Sequence, residues 1–185
     1  MSIIMKFKNN TGFTLIELIV AIGILGVMAV AAMVALNPFA QFQKANDAKR
    51  KADLSQIQKA VETYYQDYGK YPAFSVTSGH YYLNPIVTTP PPTTSQRQWG
   101  KSWQPYMNAL PIDPTSSKSY VYYSTNNGQS YYLYASLDRG GNDPEACNKG
   151  ATCKGITANA IPTTACGNGP GVVCNYGVAS PDVTP

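Results

Sequence analysis

Glu17 is the one ionisable residue in an apolar run that begins at Phe13 and ends at Leu36, and Gly12 precedes that run directly. An acid in such a setting must find a partner or leave its charge desolvated. The partner can be made by hydrolysing the bond between Gly12 and Phe13. The new Phe13 amine would stand at the start of a helix, one turn from the Glu17 carboxylate of its own chain or beside that of a neighbour. A plainer role for Glu17 is to favour the helix macrodipole, worth about 0.3–1 kcal/mol. The chemistry expected at this end is processing and charge pairing, not turnover.

At the other end, Cys147, Cys153, Cys166 and Cys174 form an even set in a tail rich in Gly, Asn and Pro. Four cysteines permit three pairings. The shorter loops, Cys147 with Cys153 and Cys166 with Cys174, close at lower entropic cost. The intervals lack the C-x2-C clustering of a zinc site. Disulfides place this region in an oxidising compartment. His80 is the single histidine and lies beside Tyr81 and Tyr82, where it reads as an exposed loop residue. As a base it would need a nucleophile and an orienting carboxylate, which the sequence does not locate. Asp138, Asn142, Asp143 and Glu145 gather around Gly140 and Gly141. That composition offers oxygen ligands to Ca2+, but Arg139 intrudes and the spacing is not that of an EF-hand, so it reads first as a solvated turn. No cofactor is expected, with Ca2+ near Asp138, Asn142 and Asp143 as the alternative.

The elements that hold these residues follow from patterning. The 24 residues from Phe13 to Leu36 make about 36 Å of helix, enough for a hydrocarbon core of about 30 Å. Thirteen of them are Leu, Ile, Val or Phe, which outweighs the insertion cost of one acid. The run is too long for a cleaved signal peptide. Lys6 and Lys8 before it, and Lys44, Lys49, Arg50 and Lys51 after it, leave orientation by charge undecided. The disulfides put the bulk of the chain outside the cytoplasm. Gly23 and Gly26 suit either close helix packing or local melting.

The stretch Gly12-Phe13-Thr14-Leu15-Ile16-Glu17-Leu18 with its apolar run resembles the leader and stem of type IV pilins and type II secretion pseudopilins. The resemblance implies cleavage after Gly12 by a membrane prepilin peptidase, N-methylation of Phe13, and guidance of filament docking by Phe13 and Glu17. It also implies an inner-membrane assembly platform as partner.

Beyond the span, Asn37-Pro38 predicts a kink. Leu54, Ile57, Val61, Tyr64 and Tyr68 step by 3 and 4 along one helical face. Asp47 and Lys51 sit in the favourable i, i+4 order, Gly69 supplies a C-terminal cap, and Pro72 follows. The helix should therefore run from about Phe13 to Tyr68. The segment from Tyr71 to Pro114, with Thr88-Thr89-Pro90-Pro91-Pro92-Thr93-Thr94, is not regular throughout, though a short helix near Gln104 to Leu110 is expected. Strands are predicted at Tyr120–Ser124 and Tyr131–Ala135 around an Asn127-Gly128 turn, and a third near Val172–Tyr176. Leu110-Pro111-Ile112-Asp113-Pro114 with Tyr120 and Tyr122 resembles the stretch before the hairpin in major pseudopilins, with Thr115 where those proteins commonly carry Trp. Major pseudopilins bind calcium in a comparable loop after the hairpin.

The fold class expected is α+β: a long helix, hydrophobic then amphipathic, packed on a small antiparallel sheet, similar to the ladle-shaped pilin fold. The organisation expected is a leader at 1–12, a transmembrane or filament-core helix at 13–38, and an extracytoplasmic head at 39–185. Charged residues at 13% with a net charge of +4 are too few and too dispersed to indicate nucleic acid. Fourteen tyrosines could stack DNA or glycan but pack equally well in strands. The function expected is a non-enzymatic subunit of a homo-oligomeric, type IV pilus-like helical filament. It is anchored by one pass in the bacterial cytoplasmic membrane before assembly and lies in a cell-surface or periplasmic filament after it. The alternatives are a type II secretion pseudopilin, or a minor pilin binding DNA or another surface ligand.

Overall fold

The computed structural model describes residues 12–87, 93–94, 96–125 and 127–185. The leader before Gly12 with Lys6 and Lys8, most of the Thr88–Thr94 run, and Asn126 lie outside the described residues. The chain divides into two compact units, one ending at Gln41 and one spanning Phe42–Pro185.

The first unit is built on helix α1, Leu15–Leu36. Within it, Leu15–Val34 is long and apolar enough to cross a membrane, with mean hydropathy 2.6 and none of it buried. Asn37 ends α1 in the left-handed region, φ 40°. Its side chain then accepts from the Ala40 N–H at 3.3 Å, opening helix α2, Pro38–Tyr68. Pro38 occupies the first helical position, where its missing N–H costs nothing. The expected kink is thus a full break of one residue.

The second unit packs around one three-stranded antiparallel sheet. Strands β5, Val121–Thr125, and β6, Ser130–Ala135, pair in register from Val121 opposite Tyr134 to Thr125 opposite Ser130. Strand β7, Tyr176–Ala179, adds to the far side of β6, and so starts four residues later than the Val172 start expected. Gly128, at φ 85°, closes the β5–β6 turn by donating to the Thr125 carbonyl at 2.9 Å. Side chains alternate across this sheet. Tyr120, Tyr122, Tyr131, Leu133 and Ala135 face Leu54, Ile57, Val61 and Tyr64 of α2. Val121 and Tyr134 face Cys153, Ile156, Ile161, Cys166 and Cys174 of the tail. Both faces are therefore covered, one by the helix and one by the disulfide region.

Two expectations need correction. The region after Pro72 contains a hairpin, β1 (Ala73–Thr77) with β2 (His80–Asn84), turned at Ser78-Gly79. Phe74 packs its ring 4.4 Å from that of Tyr123, so the hairpin adds to the core, and half-buried His80 begins a strand instead of standing in a loop. Two short strands, β3 (Ile86–Val87) and β4 (Thr93–Thr94), pair next. No helix forms at 104–110: Trp103 and Met107 exchange backbone hydrogen bonds at 3.0 and 2.8 Å. That loop lets Trp103 bury to 1% exposure, which outweighs a single turn of helix.

Half of the fourteen tyrosines are buried and the rest are half-buried. Tyr120, Tyr122, Tyr131 and Tyr134 are fully buried, and most of the hydroxyls reach acceptors. Tyr120 donates to Asp53 at 2.6 Å, Tyr122 to the Pro72 carbonyl at 2.7 Å, and Tyr131 to Glu62 at 2.9 Å. A phenol supplies a ring to the core and a donor to its rim.

Candidate functional site

Residues Gly12 to Glu17 form the first candidate site. Thr14 is the N-cap of α1. Its Oγ1 accepts from the Glu17 N–H at 3.3 Å, while Glu17 Oε2 accepts from the Thr14 N–H at 2.9 Å and from the Thr14 hydroxyl at 2.7 Å. This capping box satisfies backbone donors that a helix start leaves open. Before any cut, the Glu17 carboxylate is held by its own chain, one residue from where a Phe13 amine would arise. Thr-x-x-Glu is the sequence signature of such a box, and it adds Thr14 to the residues singled out above.

Phe13 is 88% exposed. A side chain added at Gly12, Gly23 or Gly26 would meet nothing within 4 Å, and none of the three has a left-handed φ. Among the described residues, neither packing nor backbone geometry requires glycine at position 12. The requirement, if any, comes from a molecule that acts on it.

A second candidate centre lies in the head, around Arg50. Its side chain is fully buried, yet all five N–H donors of the guanidinium are used. Nε donates to Asp113 Oδ2 at 2.8 Å, and Nη2 to Asp113 Oδ1 at 3.0 Å and to Thr115 Oγ1 at 2.9 Å. Nη1 reaches Asp47 and Asp138, each at 2.8 Å. Burial works against the charge, but Asp113 and then Asp138 hold the guanidinium above its ordinary range. Asp47 also accepts from the backbone N–H groups of Asp138 and Arg139 at 2.7 and 2.9 Å. Asp47 thus pairs with Arg50 and not, as expected, with Lys51. The helical stripe of Leu54, Ile57 and Val61 extends backwards by steps of 4 and 3 to Arg50 and Asp47. A charged pair in register with an apolar stripe was the signal for this centre.

The acidic loop after β6 is cross-braced by cations. Lys118 Nζ lies 2.6 Å from Asp138 Oδ1, and Lys51 Nζ lies 2.7 Å from Asp143 and 2.8 Å from Glu145 Oε2. Burial opposes these charges. Lys118 and Arg50 nevertheless hold the Asp138 carboxyl below its ordinary range, and Lys51 does the same for Asp143. Asn142 is exposed. Among the described residues, no cluster of three or more His, Cys, Asp or Glu is disposed to hold a metal. The carboxylates of this loop face ammonium and guanidinium groups of the chain itself.

The tail carries disulfides Cys147–Cys153 and Cys166–Cys174, with Cα–Cα distances of 4.9 and 5.3 Å. Elsewhere, a concavity of about 700 Å3 is lined by Lys70, Tyr71, Phe74, Asn84 and Tyr123. Ser124 and Thr125 also line it.

Two family profiles match. Residues 7–33 match the prokaryotic N-terminal methylation motif, and residues 37–152 match type II secretion system protein G. The first covers the capping box and most of α1; the second takes in α2, the Arg50 centre and the β5–β6 hairpin. No curated protein and no solved structure matches the chain.

Proposed function

The chain belongs to the type IV pilin and pseudopilin family, its head matching the family model of type II secretion system protein G, and from that premise we propose that its mature form is the repeating subunit of a helical filament. Members of this family are structural subunits, not enzymes. The single observation that supports filament assembly most directly is α1: a 22-residue apolar helix whose described side chains are all exposed in the isolated chain. Such a surface is stable in lipid or against copies of itself, and hardly in water.

In this reading the precursor sits in the cytoplasmic membrane, with its disulfide-bonded head on the extracytoplasmic side. A prepilin peptidase cuts between Gly12 and Phe13 and methylates the Phe13 amine. An assembly platform then withdraws the subunit, and α1 exchanges lipid for neighbouring stems. Glu17 loses water in that bundle. Its carboxylate passes from the Thr14 cap to the Phe13 amine of an adjacent subunit, and a subunit out of register leaves both charges buried without partners.

The protein G match favours a secretion pseudopilus over a surface pilus for the filament. The buried tyrosines count against a head specialised in stacking DNA, since most of the rings are spent on the core. Electron microscopy of sheared native filaments, with mass spectrometry of the subunit N-terminus, tests the reading. Filaments whose subunits begin at methylated Phe13 are expected. Mature protein that keeps its leader and never polymerises would overturn the reading.

A further inference from the structure

We propose that the acidic loop of this head is closed by the chain's own Lys51 ammonium in place of a divalent cation, so that folding of the head does not depend on calcium. Major pseudopilins, which this chain resembles, are expected to bind Ca2+ in the loop after the hairpin, and here the residues of that loop have another partner.

Lys51 projects from α2 to a loop more than ninety residues further along the chain. Its Nζ lies within 2.7 Å of both Asp143 oxygens and 2.8 Å from Glu145 Oε2. It also stands 5.4 Å from the centre of the Tyr176 ring on β7, within cation–π range. Asp143 Oδ1 accepts in addition from the Glu145 N–H at 2.9 Å. The neighbouring carboxylate, Asp138, is committed on both oxygens, to Lys118 at 2.6 Å and to Arg50 at 2.8 Å.

Ca2+ needs six to eight oxygens at about 2.3–2.6 Å. To collect them here it would have to displace Lys51 and settle beside Arg50 and Lys118. The ammonium does the work of the ion at lower charge. It pairs with both Asp143 and Glu145, offsetting one of their two negative charges, and ties helix, loop and sheet together. It also cannot be lost by dilution, because it is covalently part of the chain. This inference concerns the head alone and stands whether or not the filament reading holds.

The test is thermal unfolding of the full-length protein in detergent micelles, followed by near-UV circular dichroism, in millimolar chelator and in millimolar CaCl2, with calcium titration calorimetry beside it. A site filled at a hundredfold over its Kd would raise Tm by several degrees. For the unaltered protein the same Tm in both buffers and no one-to-one isotherm are expected. Lys51→Met should lower Tm in chelator by about 2–4 °C, and Lys51→Arg should restore most of that loss. A wild-type Tm that rises by several degrees with calcium, or stoichiometric binding, overturns the proposal. So does a Lys51→Met variant as stable as wild type. If Lys51→Met does not fold, the wild-type comparison still decides.

Discussion

Arg50 of α2 and Asp113 of the loop before β5, 63 residues apart in sequence, meet in a two-pronged pair with no solvent exposure on either side chain. The geometry is the fork-to-fork match of guanidinium with carboxylate. It fastens the start of the amphipathic helix to the chain just before the hairpin. Removing one partner from such a pair strands the other charge in the interior, at a cost of roughly 3–5 kcal/mol. Arg50→Met should therefore lower the urea midpoint of the detergent-solubilised protein far more than Lys49→Met, whose ammonium is half exposed. Equal effects of the two substitutions would remove the centre from this account.

Substitution at Gly12 is expected to separate the proposed processing from folding. A side chain there meets nothing among the described residues, so Gly12→Val should leave Tm unchanged and leave uncleaved precursor in the membrane. Intact-mass measurement of the membrane-extracted protein checks this. A normally trimmed product from the variant would show that the glycine is not read by a peptidase.

Glu17 caps its own helix and, in the proposed filament, pairs with a neighbouring amine; substitutions can divide the two. Glu17→Gln retains an acceptor for the Thr14 N–H but loses the charge, whereas Glu17→Ala loses both. Loss of an N-cap partner costs about 0.5–2 kcal/mol of helix stability, which does not prevent insertion of so apolar a span. Both variants should be trimmed normally and should fail to yield sheared filaments. Normal filament yield from Glu17→Gln would mean that the cap, not the charge, is what assembly needs.

The order of helix, loop and hairpin was legible because each rests on local chemistry. Leu54, Ile57, Val61 and Tyr64 mark a face by their spacing, Asn37-Pro38 stops a helix, and Asn127-Gly128 turns a hairpin. The β1–β2 hairpin was missed although Ser78-Gly79 is a turn dipeptide, because Phe74 and Val76 alone give a short alternation among Pro and Thr. The Trp103 loop was missed because its cause is tertiary: the indole is drawn into a core formed by residues far away in sequence. Arg50 was passed over for a related reason. A lone arginine between two aspartates reads as a solvated helix face until Asp113 and Asp138, 63 and 88 residues on, are folded against it. At the N-terminus the methylation motif was legible over Gly12 to Leu18 and matches its family profile, while the Thr14–Glu17 box needed the helix start to be placed to the residue.

The Cys166–Cys174 bridge covers the face of the sheet opposite α2. Closing a loop of this length stabilises by about 2–3 kcal/mol in the chain-entropy account. Cys166→Ser with Cys174→Ser should cost at least that much, because two fully buried sulfurs become hydroxyls that need partners. The denaturation midpoint of the double variant, compared with wild type under non-reducing conditions, measures the loss. A midpoint equal to wild type would mean that the tail is held by its side-chain packing alone.

The charge network also fixes how stability should vary with pH. Asp138 and Asp143 have folded pKa values below those of unfolded carboxylates, because Lys118, Arg50 and Lys51 outweigh the burial that opposes the charge. Their contribution is complete above the unfolded value of about 3.9 and is lost as pH falls through the folded values. Lys51 is shifted the other way: burial opposes its charge, but Asp143 and Glu145 raise it. Its contribution is complete below about 10.4 and is lost as pH rises through the folded value. Tyr120 and Tyr131 act in the same direction, since burial and then Asp53 and Glu62 push their phenols up, and unfolded tyrosine ionises near 10. Urea midpoints should therefore be flat from about pH 5 to about pH 9, falling on the acid side below about 4 and on the alkaline side above about 10. Lys51→Met should flatten part of the acid limb, because Asp143 then lacks the ammonium that depresses its pKa. An acid limb of unchanged steepness in that variant would show that Asp143 takes no stability from Lys51.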